Sequence, residues 1–148
     1  PWAAAAPEAG FTTGVPWLPV QAAHAVRAVD RQAADPDSVL RTTAAFLAWR
    51  RRQPVLREGS IRFFDADEPL LLFTRTLGQQ ALLCAFNLGP APLRWASPWP
   101  LGAMSWLDAA SRGDDGGLEL AGWGYALAEL PAARAVRGRR RPAPAAAD

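Results

Sequence analysis

At Pro54 the hydrophobic period of this chain changes, and that change restricts the fold more than any other feature. Downstream, Ile61-Arg62-Phe63-Phe64, Leu70 to Arg75, Gln80 to Asn87, Pro92 to Trp95, Ala103 to Leu107 and Leu118 to Leu130 are short apolar or alternating runs. Gly59, Asp65 to Pro69, Gly78, Gly89-Pro90 and Asp114-Asp115-Gly116-Gly117 separate them. Six to eight short strands with turn signals at this spacing predict a mainly β fold, an antiparallel β-sandwich. Phe86 is expected in its core.

Upstream the period is helical. Leu40, Ala44 and Leu47 form an apolar stripe in a segment predicted to be helix over 36–53. Asp35 is the expected cap, with Pro36 at the first helical position. Arg50, Arg51 and Arg52 complement the negative C-terminus, and Pro54 stops the helix. Phe46 and Trp49 widen the apolar face, so partner surfaces are expected on more than one side. Residues 1–35 behave differently. Prolines at 1, 7, 16 and 19 forbid a continuous helix over that opening. A loop of such length suits a functional loop laid over a larger body. Locally, 22–31 reads as a weak Ala-rich helix.

The chain has 148 residues, half of them hydrophobic, enough for one packed domain. It carries 16 basic residues, all arginine, against 14 acids. Five arginines and one acid fall in 132–148, which lacks periodicity and is expected to be a disordered Ala/Pro/Arg tail. The remainder is slightly acidic, which argues against a basic nucleic-acid-binding face. No run approaches the ~20 apolar residues of a membrane span. No charged segment followed by an apolar run opens the chain, so no signal peptide is expected within it. The first residue is Pro1 rather than Met, which predicts a piece of something longer. Cys84, the single cysteine, lies in the apolar run Ala81 to Phe86, where a small buried thiol in a reducing, cytoplasmic setting is expected.

Chemistry is sparse. His24, the single histidine, has no Ser or Cys partner at a triad spacing. One His and one Cys do not make a structural zinc site. Asp65-Ala66-Asp67-Glu68 lacks the glycine and distal Glu of a calcium loop, and Gly113 to Gly117 is not a phosphate loop. No metal and no cofactor are expected. Trp95, Trp99 and Trp106 are dense around Pro98 and Pro100. An exposed coplanar set would be a sugar-binding surface; packed rings would be core or interface.

The opening has an order of its own. Pro1-Trp2, Ala9-Gly10-Phe11-Thr12-Thr13-Gly14, Pro16-Trp17-Leu18-Pro19-Val20, Gln32 and Asp35-Pro36-Asp37-Ser38-Val39-Leu40 follow one another. Phe46 to Arg51, then Pro54-Val55-Leu56-Arg57-Glu58-Gly59, then Leu82 to Leu88 continue the series. This order resembles a passage of the α-amylase family, family 13 of the glycoside hydrolases, in its α-glucosidase and oligo-1,6-glucosidase branch. The resemblance covers roughly residues 1–90.

The resemblance implies that 1–54 are the last loop and final helix of a (β/α)8 barrel, with 22–31 as loop. It implies a C-terminal β-domain over 55–131. Such barrels build their sites from loops at the C-terminal face. Trp2 and Phe11 are then the candidate walls of a substrate pocket. Retaining glycosidases need two carboxyl groups flanking the scissile bond. None of the acids here matches the family's catalytic set, so this chain supplies no catalytic residue and is expected to be inactive alone. The implied partners are α-linked gluco-oligosaccharides and the rest of the barrel. The other reading is a free-standing carbohydrate-binding or interaction domain without catalysis.

Overall fold

The computed structural model describes residues 2–131; Pro1 and the expected tail, 132–148, lie outside them. The chain divides into two compact units at the Arg52–Gln53 junction.

The first unit is a tied loop followed by helices. Val29 donates its backbone N–H to the Trp2 carbonyl at 3.1 Å, and Ala4 donates to the Asp30 carboxylate at 3.0 Å. These bonds close the opening loop on itself. Pro7–Gly10 forms a 3-10 turn in which Glu8 and Ala9 both have positive φ. Ala22–Arg27 is a 3-10 segment, followed by α1, Val29–Ala34. The loop implied for 22–31 is therefore two short helical pieces, hinged at the fully buried Ala28. Local Ala-rich propensity wins there because tertiary bonds hold the ends.

The long helix α2 is Val39–Arg51, three residues shorter at its start than the expected 36–53. Its cap is Ser38, whose hydroxyl oxygen accepts from the Arg41 N–H at 3.2 Å and whose O–H donates to the Gln32 carbonyl at 2.6 Å. Asp35 instead accepts from Asp37 N–H, forming a turn one step before the helix. Gln32 braces the entry from the other side, accepting from Leu40 N–H. No residue of α2 is buried.

The second unit begins with a short helix α3, Pro54–Arg57, which starts at the proline expected only to end the previous helix. Six strands follow among the described residues: β1 Ser60–Phe63, β2 Leu70–Leu77, β3 Gln80–Asn87, β4 Leu93–Trp95, β5 Met104–Arg112 and β6 Leu118–Leu130. All pairings are antiparallel. The tight β2–β3 hairpin pairs Leu77 with Gln80 across Gly78, whose φ of 57° a side chain would resist.

The strands make one curled sheet where a two-sheet sandwich was expected. The reason lies in β6, which is long enough to serve several neighbours. Its C-terminal half pairs with β3 through Tyr125 to Leu130, and its N-terminal half pairs with β4 through Leu118 to Leu120. β5 runs along its other edge. The sheet curls around a core that includes Leu72, Leu83, Leu118, Leu120 and Leu130, with Leu101 packed from a loop. Phe86 is not in that cluster. It lies on the opposite face, half-buried, in a row of rings running from strand to strand: Phe63 to Phe73 at 5.3 Å, Phe73 to Phe86 at 5.9 Å and Phe86 to Tyr125 at 5.9 Å.

Candidate functional site

Trp2 and Phe11, nine positions apart in the sequence, meet in the first unit. Their ring centroids are 5.9 Å apart with planes tilted by 40°. The Trp2–Val29 bond and a bond from Ala3 N–H to the Ala9 carbonyl place them together. Trp2 is half-buried while Phe11 is 66% exposed. The pair thus offers an apolar wall with one anchored ring and one presented ring. The indole N–H of Trp2 is buried without a hydrogen-bond partner. A buried donor left unpaired in this way is the exception in folded proteins.

The three tryptophans of the Pro98–Pro100 region do not form a plane. Trp95 and Trp99 pack against the core, 6.3 Å apart and inclined by 48°, and Trp99 meets Phe64 edge-on at 5.1 Å. Trp106 pairs with Leu127 on the opposite face and donates its indole N–H to the Tyr125 hydroxyl at 3.0 Å. The packing reading of these rings is the one the structure bears out.

Sequence reasoning passes over Trp123, which the structure presents most openly among the β-domain tryptophans, at 67% exposure. It stands in Gly122-Trp123-Gly124, inside an otherwise regular strand pattern. Glycine within such a pattern signals a bulge or a close backbone approach, and that signal was available. Beside this segment lies a shallow cleft of about 580 Å³. Its polar edge is Arg94, Glu119 and Ser111, contributed by β4, β6 and β5 in register. Arg94 also lies 3.3 Å from Asp115. The Gly117 N–H and the Arg94 guanidinium hold the Asp115 carboxyl below its usual range.

Among the described residues no group of three His, Cys, Asp or Glu is placed to hold a metal ion, and no helix is long and apolar enough to cross a membrane. Cys84 is buried, and its burial pushes the thiol up to about 12 although the nearby Arg75 acts in the other direction. It is a packed residue rather than a nucleophile.

No protein-family model matches the chain. A probable α-glucosidase of Rhizobium meliloti (strain 1021) is 42% identical to it over 82 residues, which is 55% of this chain and 15% of that protein. The oligo-1,6-glucosidase of Heyndrickxia coagulans is 31% identical over 91 residues, 61% of this chain and 16% of the enzyme. The chain therefore spans about 15% of the length of these relatives. Among solved structures, the α-glucosyl transfer enzyme XgtA superposes with a TM-score of 0.74 at 44% identity, covering 88% of this chain and 24% of that one. In sequence and in fold, the chain corresponds to the C-terminal portion of the family 13 glycoside hydrolases in their α-glucosidase and oligo-1,6-glucosidase branch.

Proposed function

We propose that this chain is the C-terminal part of a retaining enzyme acting on short α-glucosides. One observation carries the reading: the match to an α-glucosyl transfer enzyme runs through both units, 88% of the chain, at 44% identity. Loop, helix and β-domain therefore correspond together rather than as an isolated module. In this reading the catalytic carboxylates come from the larger part of the relatives that the chain does not span. Two such groups are the minimum for retaining hydrolysis. The chain contributes the wall formed by Trp2 and Phe11, the helix α2 and a stabilising β-domain.

The exposure of hydrophobic side chains along α2 supports this assignment. Val39, Leu40 and Leu47 are all exposed. An apolar stripe left in water suits a helix that packs on a larger body. The experiment is a fusion. Residues 1–148 replace the corresponding C-terminal segment of the R. meliloti relative, and hydrolysis of p-nitrophenyl α-D-glucoside is measured. The fusion should be active, and the chain alone inactive. Turnover by the chain alone, or a folded but inactive fusion beside an active parent, would overturn the reading.

A further inference from the structure

The β5–β6 pairing shifts register twice, between Met104 and Trp106 and, more widely, between Asp108 and Ala110. Asp108 of β5 faces Tyr125, and Ala110 faces Leu120, so Ala109 alone stands against the four residues Ala121 to Gly124. A bulge of this size re-aims side chains, and such bulges gather beside functional sites. Here the backbone is held from three directions. Trp123 donates its N–H to the Gly89 carbonyl at 2.9 Å, and the Ala121 carbonyl accepts from Asn87. A Cβ on Gly122 would be driven into the Pro90 carbonyl, and one on Gly124 into the Ala109 carbonyl. At the centre of this clamp Trp123 has a φ of 64°, a conformation that a bulky side chain resists. The result is a large ring held outward by a conformation unfavourable to it. Strain of that kind persists where the surroundings impose it, and it points to a use for the side chain.

The cleft beside the bulge supplies what a ring alone lacks. Ala109, Ala110 and Ala121 line it with small side chains, and Ala121 is the first residue of the bulge itself. Arg94 offers donors, Glu119 acceptors and Ser111 both. Arg94 is flanked by Asp115 at 3.3 Å and Glu119 at 4.0 Å, so the cleft carries no excess positive charge. That disfavours phosphate and other anions. A neutral ligand with one apolar face and a rim of hydroxyls fits both halves: a pyranose lays its C–H face on an indole and its hydroxyls among such groups.

We propose that Trp123, with the Arg94–Glu119–Ser111 edge, forms a binding site for short neutral α-glucosides on the β-domain. The choice of ligand rests on the function proposed above; the location rests on the bulge and the cleft. The test is calorimetric titration of the full 148-residue chain with maltose, isomaltose and sucrose, and with glucose 1-phosphate as the anionic comparison. Saturable binding of at least one neutral disaccharide is expected, with glucose 1-phosphate weaker. Trp123→Gly, which suits the positive φ, should weaken binding at least tenfold, Arg94→Ala several-fold, and Trp123→Phe less than Trp123→Gly. Near-ultraviolet circular dichroism checks that each variant is folded.

Absence of saturable binding by the wild-type chain, or equal binding by folded Trp123→Gly, would overturn the site. Stronger binding of glucose 1-phosphate than of the neutral sugars would overturn its assignment to neutral ligands. An active fusion enzyme alongside a chain that binds no sugar refutes this site alone. Sugar binding alongside an inactive fusion refutes the enzyme reading alone.

Discussion

Asn87, at the end of β3, donates an Nδ2 hydrogen to the Ala121 carbonyl 2.8 Å away, joining residues 34 apart at the wider of the two register shifts between β5 and β6. Its second Nδ2 hydrogen goes to the Ala91 carbonyl at 2.7 Å, and its Oδ1 accepts from Gly89 N–H at 3.0 Å. At 2% exposure this amide is satisfied wholly by the backbone around the bulge. Asn87→Ala should cost about 2–4 kcal/mol, since it removes these bonds and leaves two carbonyls without their donor. Asn87→Asp sharpens the test. It turns a carboxylate oxygen toward the Ala91 and Ala121 carbonyls, which raises the folded-state pKa of the new acid. Its stability is then retained at low pH and lost as pH rises through that value. Urea titrations should find Asn87→Asp less stable at pH 7 than at pH 4, relative to wild type.

Gly122→Ala and Gly124→Ala should each be destabilising by about 1–3 kcal/mol, because backbone carbonyls occupy the space a methyl group needs. Trp123→Gly should cost less than about 1 kcal/mol despite deleting the largest side chain in the region, since it removes a positive-φ penalty. Loss of a packed Trp would instead cost about 3–5 kcal/mol. Thermal unfolding of the three variants separates these outcomes.

Leu83 and Phe86 lie on opposite faces of β3. Leu83 is fully buried in the core, and Leu83→Ala should cost about 3–5 kcal/mol. Phe86, half-buried between Phe73 and Tyr125, should cost less on truncation, about 1.5–3 kcal/mol. Equal costs in chemical denaturation would mean that both faces are equally sealed.

Cys84 makes stability depend on alkaline pH. Its thiol is pushed up from 9.0 to about 12 by burial. Between those values the unfolded chain ionises and the folded chain does not. The sign is a loss of stability as pH rises from about 9 toward 12. The margin by which wild type exceeds Cys84→Ala should shrink by about 1–2 kcal/mol between pH 8 and pH 10. In native buffer the thiol should react with a disulfide reagent only as fast as the chain opens.

The strands were legible because their punctuation is chemical. Gly78 and Gly89 bracket the Gln80–Asn87 run, and the structure ends β3 within those limits. The single curled sheet was not legible, since alternation assigns residues to faces but does not say which strands share β6. The start of α2 differs from the local expectation because Asp35-Pro36 satisfies the rule for a cap, while Ser38 does so with an added bond to Gln32, six residues away. The juxtaposition of Trp2 and Phe11 was carried by the ordered motif, not by any periodicity. Gly122 and Gly124 mark a bulge at Trp123 in the sequence, but the exposure of its ring is not legible there, because it depends on Pro90 and Ala109, whose approach is set by the tertiary fold.

The most direct test is the α-glucosidase activity of the fusion in which residues 1–148 replace the corresponding C-terminal segment of the R. meliloti relative. Turnover comparable to the parent is expected, with at least a tenfold loss of kcat/KM in Phe11→Ala while the variant fusion stays folded by circular dichroism. A folded fusion with no turnover, assayed beside an active parent, would contradict it.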